Sequence, residues 1–500
     1  MSCHNKHLFH NKHLLRTATR LALAAATLWA SAAPADSPPA GPAPIPAVQI
    51  FPDATGLIAT LDVDGPQPAG AFFQSLGTNG RSCSTCHVAS QAMALGAQAA
   101  QMRFLATRGQ DPLFAPVDGA NCPSARRDNA AEHSLLLQHG LIRVSLQLPV
   151  GAQFTLSVVH DPYGCALTAD PNGGPPFVSV YRRPLPATNL GFLSAVMFDG
   201  RETKAPLDND STFMSNLIAD LSQQAIDATT GHAQAAVPPT AAQVADIVGF
   251  ELGLFSAQAY DTHAGWLGAA GATGGVLRLA GTEYYPGIND VLGADPRGDA
   301  FNPAAMTVFD AWEQSPQDAR RAIAAGEALF DGAPLTISNV RGLNDNAAFG
   351  KPASLPGTCT SCHDTPDVGD HSLPLPLDIG TGHAALPGVE PDPNIAAALA
   401  ELSMPDLPVY LVSGCPNPFS AGEPESFYTS DPGRALITGS CGDFNRGKGP
   451  ILRGLAARAP YFHNGSAANL NELVNFYNER FRMGLTSEQK QDLVAFLNSL

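Results

Sequence analysis

Hydrophobic positions along this chain change their spacing from one segment to the next. The densest apolar run, residues 21–33 (LALAAATLWASAA), follows a leader whose charges are all basic: Lys6, Lys12, Arg16 and Arg20. It closes on small residues around Ala30, Ser31 and Ala32, the layout of a secretory signal over residues 1–32, with an uncleaved anchor as the competing reading. The run is short for a bilayer, and no other stretch approaches twenty apolar residues, so the chain reads as exported and not membrane-embedded. Residues 33–50, with PADSPPAGPAPIPA at 34–47, read as a Pro/Ala linker with no capacity for a core.

Helical spacing then recurs four times. AGAFFQSLGTNG (69–80) puts Phe72, Phe73 and Leu76 on one side, and QDARRAIAAGEALFDG (317–332) does the same with Ile323, Gly326, Leu329 and Phe330. NLNELVNFYNERF (469–481) opens on an Asn469 cap with Glu472 three residues on, and aligns Leu470, Leu473, Val474 and Tyr477. TSEQKQDLVAFLNSL (486–500) pairs Thr486 with Gln489 as a capping box ahead of Leu493, Phe496, Leu497 and Leu500. Strict alternation appears over residues 141–160 and predicts a hairpin about a Pro-Val-Gly turn. Residues 366–440 are rich in Pro, Gly and Asp and read as a long loop system.

Five hundred residues exceed one ordinary core. The expectation is two domains, 51–300 and 301–500, with insertions at 103–190 and 366–440. A net charge of −17 argues against nucleic acid as a partner, since phosphate binding needs clustered Lys and Arg.

Two pentads carry the chemistry. CSTCH (83–87) and CTSCH (359–363) are Cys-x-x-Cys-His, the attachment signature of c-type haem. Zinc would need a second ligand pair at short range, and a thioredoxin-type pair would sit in a βαβ context; neither accompanies these pentads. Two covalently bound haem c groups follow, on Cys83 and Cys86 and on Cys359 and Cys362, with His87 and His363 as proximal iron ligands. The fold class expected is mainly α: two cytochrome c-like haem domains with long loop insertions and a small β excursion in the first. Besides Cys3 in the leader, four cysteines remain, and export suggests disulfides. Three pairings are possible, and proximity favours Cys122–Cys165 and Cys415–Cys441.

The other axial positions decide between electron transfer and open-iron chemistry. After the second pentad the candidates, near the C-terminus, are Tyr477, Met483 and His463. For the first, His133 and His139 are distant in sequence, and no local ligand presents itself.

The tail GKGPILRGLAARAPYFHNGSAANLNELVNFYNERF, the terminal LTSEQKQDLVAFLNSL and both pentads resemble the bacterial di-haem cytochrome c peroxidases and their relative MauG. VMFDGRET (196–203) resembles that family's Trp-Asp-Gly-Arg segment between the haems, with Phe198 in place of Trp. LSQQA (221–225) resembles its Gln-Ala, which places Gln224. The resemblance implies that peroxide is cleaved at the haem of His87 and that the haem of His363 relays electrons. It puts Tyr477, as in MauG, at the relay haem's sixth position, with Met483 as the alternative. The family's distal acid falls near Gln234, which cannot move a proton, whereas His232 can. A calcium ion between the domains is implied without assignable ligands.

The expected function is therefore a periplasmic peroxidase-type oxidoreductase reducing H2O2, fed by a small cytochrome c or cupredoxin. The alternatives are oxidation of a protein or organic substrate, as in MauG or the rubber oxygenases, and a non-catalytic di-haem electron carrier.

Overall fold

The computed structural model describes residues 47–65, 69–293, 295–366, 368–369, 375–384, 393, 395–419 and 424–500. The expected signal and linker residues 33–46 lie outside the described residues, as do parts of the 366–440 segment. Linker residues 47–50 are strand.

Helix makes up 32% and strand 17%, so the fold is mixed α and β rather than mainly α. The additional strand lies largely in segments that local patterning reads as linker, loop or excursion. Along the chain run β1 (Ala47–Pro52), β2 (Gly56–Asp62), β3 (Ile142–Gln147), β4 (Thr155–His160), β5 (Leu167–Thr168) and β6 (Phe177–Arg182). They are followed by β7 (Leu254–Asp261), β8 (Gly265–Trp266), β9 (Leu335–Ile337), β10 (Leu355–Gly357), β11 (Val409–Pro416) and β12 (Pro424–Thr429). The described strands form four antiparallel sheets, ordered β1-β2-β7-β8, β3-β6-β5, β12-β11-β4 and β10-β9.

Both strands expected within 141–160 form, but they do not pair with each other. β3 pairs with β6, placing Val144 opposite Val180, and β4 pairs with β11, placing Leu411 opposite Ser157. Alternation announces a half-buried strand and says nothing of its partner, which here is set by burial far along the chain. Val178, Val180, Tyr410 and Leu436 make a shared core between the two sheets. The Tyr410 hydroxyl also reaches the carbonyl oxygens of Ala166 (2.9 Å) and Ser179 (2.7 Å). The 103–190 and 366–440 segments are thus one substructure, closed by the disulfides Cys122–Cys165 and Cys415–Cys441.

The helical readings hold best near the C-terminus. Asp318–Gly332, Leu470–Arg480 and Ser487–Asn498 are helices; the Asn469 side chain accepts from the Glu472 N–H at 3.0 Å, and Thr486 with Gln489 closes a reciprocal cap. Ile323, Phe330, Val474, Leu493, Phe496 and Leu497 join Phe309 and Trp312 in the largest core cluster. Gly326 is required there, because a Cβ would stand 2.0 Å from the Asp492 carbonyl oxygen. The helix expected over 69–80 shrinks to one 3-10 turn, Ala71–Phe73, with Phe72 buried and Phe73 exposed.

Where β6 ends, Arg182 is buried between two carboxylates. Its Nε donates to Asp431 at 2.6 Å and its Nη1 to Asp199 at 2.5 Å, and both acids are buried. Burial pushes both acids up, but Arg182 outweighs it and holds them below the usual carboxylate range. Removing one member of such a cluster leaves uncompensated buried charge, worth about 3–5 kcal/mol. Arg182→Met is expected to lose about that much unfolding free energy at neutral pH by denaturant titration. The sign with pH follows: a depressed acid stabilises above its unfolded value and loses this as pH falls through the folded one. The gap between wild type and variant is therefore expected to close on acidification below about pH 4.

Candidate functional site

The two pentads fold alike because the residues around them match. Each opens a 3-10 turn, Cys83–Thr85 and Cys359–Ser361, capped reciprocally by Ser82 with Thr85 and by Thr358 with Ser361. Each histidine N–H returns to the first cysteine's carbonyl, at 3.1 Å for His87 and 2.8 Å for His363. A phenylalanine from upstream in the chain stands beside each imidazole, Phe72 at 6.2 Å and Phe330 at 6.4 Å between ring centres.

Each pentad lines its own cavity, the first enclosing about 1160 Å³ and the second about 1930 Å³ of empty space with their mouths included. Cys83, Cys86, His87, Gln224, His232 and Glu251 face the first. Cys359, Cys362, His363, His463, Tyr477 and Met483 face the second. Arg183, Pro184, Leu185 and Phe198 line both, so one wall separates the two.

The donor set fits a covalently held porphyrin. None of the four pentad cysteines is in a disulfide, while the other four described cysteines pair. Burial pushes Cys83 up to about 12, Cys86 to about 11 and Cys359 to about 12. Such thiols stay protonated, opposite to the thiolates that zinc or disulfide exchange requires. A thioether is neutral and suits this surrounding. His87 Nδ1 lies 3.0 Å from the Met93 carbonyl oxygen, which orients the ring and leaves Nε2 for a metal. Burial lowers the His87 pKa, keeping the imidazole neutral as a ligand must be.

Tyr477 and Met483 lie on one wall of the second cavity and pack in the same cluster as Cys359 and Cys362. Burial and the pentad cysteines raise the Tyr477 hydroxyl well above its ordinary value, so a phenolate there needs a cation beside it. His463 lines the same cavity but stacks on Phe198, 4.4 Å between centres at 14°. Burial pushes His463 down to about 4 although Asp431 opposes this. His133 is buried, with its ring nitrogens on the carbonyl oxygens of Gly119 and Arg126, and neither it nor His139 lines the first cavity.

In the first cavity His232 Nδ1 is held by Asp118, which is ion-paired to Arg81. Burial pushes Asp118 up, but His232 and Arg81 outweigh it and keep the carboxyl below its usual range. Gln224 faces the same space, whereas Gln234 is turned to Asn79 and does not line it. Among the described residues, no group of three or more His, Cys, Asp or Glu is placed to hold a metal ion.

Sequence reasoning overlooked Asp118 and Glu251. Asp118 lies 114 residues from His232, and no local pattern links them. Glu251 was legible: it continues the Val244, Ile247 and Val248 stripe of the Ala241–Leu252 helix, a carboxyl on a buried face. Its Oε2 has no hydrogen-bond partner, and burial pushes it up to about 8.

No protein-family model matches the chain. It is 33% identical over 151 residues to the cytochrome-c peroxidase IdrP2 of Denitromonas iodatirespirans, covering 29% of this chain and 36% of that protein. It is 27% identical over 233 residues to the cytochrome-c peroxidase IdrP1 of Pseudomonas sp. (strain SCT), covering 44% and 54%. The chain thus spans about a third of the first of these relatives and about half of the second. A crystal structure of a MauG-like protein associated with microbial copper homeostasis overlaps 86% of this chain and 87% of its own at 14% identity. Its TM-score of 0.32 is too low to build on. The two pentads define a pair of cavities that share a wall, each lined by two cysteines outside any disulfide and a histidine. Over the matched stretches, the chain is similar to these two cytochrome-c peroxidases.

Glu251 yields a pH test. An acid raised in the folded state stabilises fully below its unfolded value near 4.5, and that stability declines as pH rises toward about 8. Between about pH 5 and about pH 8, wild type is expected to lose a few kcal/mol of unfolding free energy relative to Glu251→Gln, read by denaturant titration at both. Parallel profiles would refute a neutral Glu251.

Proposed function

We propose that this chain is an exported, periplasmic di-haem oxidoreductase of the cytochrome c peroxidase type. Two like pentads, each facing its own cavity across a shared wall, are the observation that carries this reading. Covalently bound, the haem of the 51–300 part would supply the iron at which H2O2 is reduced, and that of the 301–500 part the electrons. His87 and His363 are the proximal ligands, and Tyr477, with Met483 as the alternative, the sixth ligand on the relay side. His232 serves as the proton carrier, its Nδ1 tied to Asp118 so that Nε2 is left for the cavity. Gln224 orients the small oxidant by hydrogen bonding. A small cytochrome c or cupredoxin is the electron donor, and calcium between the two parts belongs to this reading.

A second reading has a specific support. Tyr477 on the second cavity and Phe198 in place of Trp on the shared wall favour oxidation of a protein or organic substrate, as in MauG or the rubber oxygenases.

The ferric protein, purified from the periplasm, is expected to contain two covalent haems and to show a high-spin signal from the first. Two low-spin haems that stay so after half-reduction would leave only the electron carrier. His232→Ala is expected to lower kcat/KM for peroxide about 10²-fold with a reduced cytochrome as donor, at unchanged haem content. An unchanged kcat/KM would remove His232 from the reaction.

A further inference from the structure

Arginines on the cavity walls divide into two kinds. Arg81 is paired with Asp118, Arg182 with Asp199 and Asp431, and Arg201 with Asp199. Among the described residues, Arg183, on the wall common to both cavities, and Arg458, on the second, have no acid partner. Arg183 gives one guanidinium nitrogen to the Pro460 carbonyl and another to that of Leu95 at 3.1 Å, while its Nε is buried without a partner. Arg458 donates to the Ile451 carbonyl oxygen at 2.6 Å and to that of Arg453 at 2.9 Å. Main-chain carbonyls satisfy hydrogens but leave the charge.

An unpaired cation costs several kcal/mol once water is displaced, so a group that fills the cavity must bring the anion. Burial pushes Arg183 down to about 9, with Arg458 adding to the push, and lowers Arg458 to about 10. The charge of Arg458 bears on Arg183, and an anionic occupant would offset both. Forked guanidinium donors suit carboxylates.

We propose that Arg183 and Arg458 form a carboxylate-binding site that holds the propionates of the haem attached through Cys359 and Cys362. The assignment rests on the haem reading above. The pair also sets that haem's electron affinity, because positive charge beside the iron favours the reduced form.

The test uses the holoprotein and optical redox titration of each haem in Arg183→Gln, Arg458→Gln and Arg458→Lys. Each Gln variant is expected to move the second haem's equilibrium about tenfold toward ferric, a potential about 59 mV lower. Arg458→Lys is expected to stay near wild type, separating charge from the main-chain hydrogen bonds. Unshifted Gln variants that carry both haems overturn the arginine site alone. A wild type with fewer than two covalent haems overturns the haem reading beneath it. A wild-type potential that follows chloride concentration, with that dependence lost in the Gln variants, overturns the propionate assignment in favour of a free anion. Should the Gln variants not accumulate, propionate bending modes in resonance Raman spectra are expected to differ between wild type and Arg458→Lys; identical spectra overturn the site.

Discussion

The buried contact of Arg182 with Asp199 and Asp431 is the constraint from which the rest of the architecture follows. Three distant segments meet there: the end of β6, the VMFDGRET stretch and the loop after β12. Arg182 also lies over the Phe198 ring, 4.9 Å from its centre, and Phe198 stacks on His463. The cluster therefore fixes the wall between the cavities as well as the segments behind it. Such a buried network is weak evidence for stability, since desolvation takes back much of the Coulomb gain. Its value lies in specifying one arrangement, because any other pairing strands a charge.

What could be read from the chain was local. The last two helices and their caps depend on residues close to one another along the chain, and these form as expected. The partner of β4 depends on β11, about 250 residues away, so alternation revealed the strand and misassigned its neighbour. Both disulfides followed from proximity because each closes a short span, 43 and 26 residues. The first-cavity residues show the same divide. His232 came from the family resemblance, beside the position of the family's distal acid, whereas its partner Asp118 arrives from a segment that local patterning treats as an addition.

That segment is better described as part of the site. It supplies Asp118 and, at its far end, Arg182 to the first cavity, and Arg183 to the common wall. A free-standing excursion would tolerate deletion. One that contributes a cavity wall and shares a core with the 366–440 segment would not.

Arg182 and Arg183 are adjacent yet electrostatically opposite. Arg182 is neutralised by two acids before anything enters the cavities, so it can organise the fold by itself. Arg183 is left with carbonyl oxygens only, and its charge is completed by an occupant. Both side chains line the first cavity, but Arg182 is tied to the acids of the packed segments, whereas Arg183 extends along the wall to the second cavity. A single dipeptide thus couples the fold to its contents, and the wall reaches its full set of ion pairs only when the cavities are filled.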